Sequence, residues 1–127
     1  MSRAREIADL VGGTTPDIIL KTADGAILNL QTSDTTVTDG SVLGAINFTA
    51  PNEGSGTDAI TIGGAIQAVA EGTFAADNNA TELVFMTGAS EAATSKMVLS
   101  SAGALTVTGV VTANAGVVVD NFTLDGT

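Results

Sequence analysis

The chain of 127 residues contains no cysteine, no histidine, no tryptophan and no tyrosine. Each absence removes a chemistry. Without cysteine there is no disulfide and no thiolate nucleophile. Without cysteine or histidine the usual zinc sites cannot be built, and neither can a triad that uses a histidine base. Positive charge is scarce as well. Four Lys and Arg stand against fourteen Asp and Glu, for a formal charge of −10. Such a chain has no basic face with which to neutralise phosphates, so no nucleic-acid partner is expected. Long apolar runs are also missing. Hydrophobic residues make up 44% of the chain, and mean hydropathy is +0.37. They come in short runs broken by Thr, Gly, Asp and Asn, far below the roughly 20 consecutive residues of a spanning helix. No membrane insertion is expected. Arg3 and Arg5 are followed by Glu6 and Asp9, which is not the pattern of a secretory signal.

What is present is small. Ala, Val and Gly carry much of the apolar content, and four Phe are the only aromatic residues. Burying a Val, Leu, Ile or Phe side chain is worth roughly 1.5–3 kcal/mol. Ordering one residue costs about 1.5 kcal/mol. A lone copy of this composition is marginal, and association supplies the burial that it lacks. An oligomer is therefore expected.

The pattern along the chain predicts one helix and several hairpins. Ala4, Ile7, Ala8 and Val11 recur at helical spacing after Ser2, with Leu10 beside them, and Gly12-Gly13 ends the segment. Ten residues do not hold a helix alone, so residues 2–11 read either as a frayed terminus or as an anchor helix packed on partner chains. From Asp17 to Gln31 two β-rich stretches flank Ala23-Asp24-Gly25, a hairpin signal. Thr32–Gly40 reads as a turn or a short polar strand. Val42–Thr49 alternates, with Gly44, Ile46 and Phe48 on one face. Residues 51–58 form a loop on composition. Strands are expected at Ala59–Ile62 and Ala65–Ala70 around a Gly63-Gly64 turn or bulge, although Ala and Gln would also suit a helix. Residues 74–80 are a polar loop, and Glu82–Thr87 is a strand. Lys96–Ser100 and Ala104–Thr108 make a hairpin around Ser101-Ala102-Gly103. Its likeness to the stretch Ile19–Ile27 is read as shared turn chemistry rather than duplication. The tail from Thr106 to Thr127 alternates short Val/Thr strands with Gly or Asn turns, and it is expected to continue into further chain.

No constellation of catalytic groups is found. Asp34-Thr35-Thr36 lacks the glycine of an aspartic-protease triplet. Ser95-Lys96 is not a recognisable dyad, and Gly12-Gly13 and Gly63-Gly64 fit no phosphate loop. Asp34, Asp39, Asp77 with Asn78 and Asn79, and Asp120 with Asn121 carry oxygen ligands. Their spacing is not that of a calcium loop, and such residues favour turns for their own hydrogen bonds. Three glycosylation triplets, at Asn47, Asn79 and Asn121, are cheap in a Thr-rich chain. No catalytic residue, metal or cofactor is expected, and the chain is not expected to be an enzyme.

Several stretches resemble tail fibre proteins of marine bacteriophages. They are Leu30–Gly44 with its run Gln31-Thr32-Ser33-Asp34-Thr35-Thr36, Ala50-Pro51-Asn52-Glu53, and Ala70-Glu71-Gly72-Thr73-Phe74. The hairpin Lys96-Met97-Val98-Leu99-Ser100-Ser101-Ala102-Gly103-Ala104-Leu105-Thr106-Val107 is similar to a unit common in such fibres. Val118–Thr127 resembles the start of their repetitive shafts, and Ser2-Arg3-Ala4-Arg5-Glu6-Ile7-Ala8 resembles their N-termini. The resemblance implies a homotrimer in the virion tail. It would be held to a tail or adaptor protein through its N-terminus and would meet the host surface only through distal parts. The implied fold is all-β, with short strands and hairpins in an elongated intertwined homotrimer and a short N-terminal α-helix.

These readings divide the chain into an anchor helix and linker (1–15), a β-rich domain (16–108) and the start of a repetitive shaft (109–127). Arg3 and Arg5 are half of the positive charge and lie within three residues. They read either as a solubilising terminus or, with Ile7, Leu10 and Val11, as the surface that docks on the tail. The expected trimer core is Ile46, Phe48, Leu83, Phe85, Leu99, Leu105 and Val107. Two other functions stay open: a capsid decoration or cement protein, and a fragment of a polysaccharide-degrading tail spike. The second is weakened by the lack of Trp and Tyr for sugar platforms.

Overall fold

The computed structural model describes residues 18–50, 56–121 and 123. The anchor helix expected over 2–11, with Arg3, Arg5, Ile7, Leu10 and Val11, lies outside the described residues. The chain divides into two compact units, Met1–Leu30 and Gln31–Thr127.

In the first unit, residues 18–30 contain a turn at Ala23-Asp24 but no strand. Gly25 takes the left-handed φ of +98° that the turn signal implies. The hairpin expected over Asp17–Gln31 does not form. Ile18-Ile19-Leu20 is a consecutive apolar run rather than an alternation, so it has no single face to bury. Two strands without a third are marginal in any case. Ile18, Ile19, Ile27 and Leu28 are all exposed.

The second unit is built on a five-stranded antiparallel sheet. Its strands are β1 (Val42–Thr49), β2 (Ile62–Ala70), β3 (Thr81–Thr87), β4 (Thr94–Leu99) and β5 (Leu105–Val107), and they neighbour one another in chain order. The all-β expectation holds. Helix among the described residues is limited to a 3-10 turn at Asp58–Ile60, where a strand over Ala59–Ile62 was expected. Thr61 explains it: its backbone N–H (3.2 Å) and its hydroxyl (2.7 Å) both donate back to the Asp58 carbonyl. That closes a turn and delays β2 until Ile62.

Of the turn or bulge expected at Gly63-Gly64, the bulge is what forms: Gly63 is the extra residue of β2 between the pairings of Gly64 with Phe48 and of Ile62 with Thr49. β2 runs through the pair, because Phe48 on β1 lies directly opposite Gly64 and its ring covers the bare backbone. A Cβ placed on Gly64 would lie 3.8 Å from that ring. An aromatic side chain laid across a strand glycine restores the packing that the glycine cannot provide. The run Ala65–Ala70 is strand, not helix, paired on both sides.

The connection between β2 and β3 continues their hairpin. Glu71 N–H donates to Ala80 (2.9 Å), and Ala75 and Asn78 exchange backbone bonds across Ala76-Asp77. The Asn78 side chain holds Thr73 O and Ala80 N. Thr38-Asp39-Gly40-Ser41 turns into β1, with Gly40 donating to Ala70 O at 2.9 Å. Phe74 N–H donates to Val37 O at 3.0 Å, so the Val37 segment lies along this connection. Val37 and Ala70, both buried, mark the densest end of the unit.

β4 and β5 form the expected hairpin. Gly103 N–H donates to Ser100 O (2.9 Å) and Ser100 N–H to Ala104 O (3.0 Å), with Gly103 at φ +81°. This is the three-residue loop that takes its glycine in the left-handed region. Beyond β5, residues 109–121 carry a turn closed by Gly116 N–H on Ala113 O but no strand. The expected Val/Thr strands of the tail are absent there. Val110, Val111 and Val117–Val119 are exposed and have no ladder to join.

Candidate functional site

Opposed residues on neighbouring strands point to the same face, and alternate residues along a strand share it. The register therefore writes out one face of the sheet. One row is Gly44, Ala68, Leu83, Leu99 and Leu105, from β1 to β5. The next is Ile46, Ile66, Phe85, Met97 and Val107. A third begins with Phe48, Gly64 and Thr87. No charged residue occurs in these rows.

All seven residues expected to form a trimer core fall on this face. Their pairings run unbroken, Gly44 to Phe48 against Ala68 to Gly64, and Met97 to Leu99 against Phe85 to Leu83 and Val107 to Leu105. Extra residues interrupt the ladders only outside these stretches, at Leu43 on β1, Gly63 on β2 and Lys96 on β4. Ile66 and Met97 complete the second row and were not singled out from sequence. Alternation with Gly64 and Ala68, and with Leu99, is the signal that finds them.

The other face is mixed. It carries Asn47, Gln67, Glu82, Ser95 and Thr106 among Ala45, Ala65, Val84, Met86 and Val98. Ala65 and Val84 are buried there. The apolar face contrasts with it. Phe48 is 58% exposed, Leu105 63%, Leu83 42% and Leu99 39%. Only Val37, Ala65, Ala70 and Val84 are buried among the described residues. Within the second unit, no helix or second sheet among the described residues lies on either face. A domain normally closes its core by packing two layers. Among the described residues of this unit there is one layer, and much of its oily side is exposed.

The face is uneven. Its β1–β2 half is low at Gly44, Ala68 and Gly64, and its β3–β5 half is raised by the three leucines and Phe85. Between Phe48, Gly64, Ile66 and Phe85 lies an open, largely apolar hollow of about 560 Å3. Its lining holds no charged side chain, and the polar side chains in it are those of Thr49 and Thr87. Among the described residues no three acidic side chains come together as a cation-binding group, and no helix is long and apolar enough to cross a membrane. Asp34 serves the turn role open to it, accepting from Thr36 N–H at 2.8 Å. Asn78 does the same in its loop.

The chemistry offered by this arrangement is burial against another apolar surface. No protein-family model matches the chain, and no curated protein sequence matches it.

Proposed function

We propose that this protein is a structural virion component: the N-terminal anchor and proximal shaft of a homotrimeric phage tail fibre, with host recognition carried by distal parts. The observation that carries the reading is the open sheet face, on which Ile46, Phe48, Leu83, Leu99, Leu105 and Val107 are exposed beside a half-buried Phe85. Three copies turned with this face inward would supply one another's missing layer. The resemblance of the N-terminal, hairpin and tail stretches to marine phage tail fibres gives the setting. In this reading residues 1–15 dock on a tail or adaptor protein through Arg3, Arg5, Ile7, Leu10 and Val11, and the role is mechanical rather than catalytic.

The test is made in virions that carry the chain. Replacing Ile7 and Leu10 with Asp should release fibres while the purified chain keeps its trimeric mass. Fibres retained at the wild-type level would remove the anchor, and a chain found on the capsid rather than the tail would remove the tail assignment.

A further inference from the structure

Asp-Gly occurs three times in the chain, at Asp24-Gly25, Asp39-Gly40 and Asp125-Gly126. The third lies outside the described residues. In such a pair the glycine nitrogen can attack the aspartate side chain before it, because no Cβ screens that nitrogen. We infer that Asp24-Gly25 is a site of spontaneous isomerisation to isoaspartate, and that the fold protects Asp39-Gly40 from the same reaction.

Exposure does not separate the two, since Asp24 and Asp39 are both exposed. Hydrogen bonding does. Gly40 N–H donates to Ala70 O at 2.9 Å, Ser41 N–H to Thr38 O at 3.0 Å, and Thr38 N–H to the Ser41 hydroxyl at 3.1 Å. The Gly40 nitrogen is thereby fixed to the end of β2, with its proton held against a carbonyl. The turn at Ala23-Asp24 resembles those that end at Gly103 and Gly116, each with its glycine at positive φ. Gly103 donates to Ser100 O at 2.9 Å and Gly116 to Ala113 O at 3.4 Å, whereas Gly25 N–H has no comparable backbone bond among the described residues. No strand forms over residues 18–30, and beyond its chain neighbours no atom lies within 4 Å of where a Gly25 Cβ would stand. Local opening costs least where backbone bonds are few and exposed.

The reaction needs no partner but water. The Gly25 nitrogen bonds to Asp24 Cγ and gives up its proton, and the carboxyl loses one oxygen as water, which closes a succinimide ring. Water then opens the ring at either carbonyl. Opening at the former backbone carbonyl leaves the chain running through Cβ and Cγ, with the carboxylate on Cα. Opening at the other restores aspartate. Neither the mass nor the formal charge of −10 changes, so the product is silent in an intact mass.

The test ages the full chain in warm neutral buffer, once folded and once unfolded in urea. A protease that cuts before aspartate fails at isoaspartate, and electron-transfer fragmentation of the peptides locates the change. In the folded chain isoaspartate is expected to accumulate at position 24 at least about tenfold faster than at position 39, the factor that one or two backbone bonds of ordinary worth imply. In urea the two positions are expected to convert at like rates. Asp24→Glu, whose ring would be larger and slower to close, is expected to abolish the signal at 24. Equal rates in the folded chain, or conversion led by position 39, would overturn the assignment. So would a folded chain that stays unconverted at 24 while the unfolded chain reacts. The same preference for 24 in urea would overturn it as well, because local sequence and not the fold would then set the rate.

Discussion

Leu83 on β3 lies directly opposite Leu99 on β4, and the two stay 42% and 39% exposed although neither strand is an edge. A leucine pair in the interior of a sheet is ordinarily sealed by a second layer. In the proposed trimer the seal comes from neighbouring copies. Truncating a leucine that neighbours cover costs about 2–5 kcal/mol, whereas a change at a solvent-facing site stays within about 0.5 kcal/mol. Leu99→Ala is therefore expected to lower the thermal midpoint strongly and to make it more dependent on protein concentration. Thr106→Ala, on the mixed face, is expected to do neither. Melts of both variants over a hundredfold range of concentration check this.

Gly88 opens the loop that ties β3 and β4 to the start of β2. Its N–H donates to Gly63 O at 2.9 Å, and Ala93 N–H donates to Ile62 O at 2.7 Å. A Cβ at Gly88 would run into the backbone carbonyl oxygen of Glu91 and come within 3.3 Å of Ala93 N. Gly88→Ala is expected to cost about 1–3 kcal/mol, in the range of overpacked sites. Gly109 has open space around it, so Gly109→Ala is expected to be neutral. Denaturant unfolding of the two variants separates these outcomes.

Much of the sheet could be read from the chain, and the failures share one cause. β1, β3 and the β4–β5 hairpin announce themselves by alternation at Ile46 and Phe48, by Leu83 and Phe85, and by Ser101-Ala102-Gly103. Turn chemistry was equally visible at Ala23-Asp24-Gly25, and Gly25 does adopt the turn conformation. No ladder follows, because a turn residue sets local geometry and does not supply a partner strand. The same limit left turn and bulge both open at Gly63-Gly64, where pairing with β1 makes Gly63 a bulge and Phe48 packs over Gly64. The seven apolar residues were legible individually. Their gathering on one face depends on which residues are paired between strands, as in Ile46↔Ile66↔Phe85 and Leu83↔Leu99↔Leu105, and a single strand's pattern does not specify that.

Glu71 reaches across thirty residues to cap the β4–β5 turn, its carboxylate accepting from Ser101 N–H at 3.0 Å. The bond is exposed, so its net worth is about 1 kcal/mol. Glu71→Ala is expected to speed amide exchange at Ser101 several-fold. It is expected to leave the amide of residue 71 itself, which donates to Ala80 O, unchanged. Residue-resolved hydrogen exchange reads both sites at once.

Each copy brings a charge of −10, and three copies bring three times that. Repulsion of this kind weakens as the screening length shrinks from about 30 Å at 0.01 M salt to about 8 Å at 0.15 M. Association through an uncharged face should therefore tighten as salt is added. Sedimentation at low and physiological ionic strength is expected to show a larger trimer fraction in the second. A trimer that dissociates on adding salt would place ion pairs in the interface.

The proposed trimer requires that one copy cannot complete its own interior. Sedimentation equilibrium of the full chain at micromolar concentration tests it most directly. The expected result is a mass near three chains, with loss of the folded signal on dilution as copies separate. A single chain that keeps its monomeric mass and melts cooperatively at the same temperature at every concentration would contradict it.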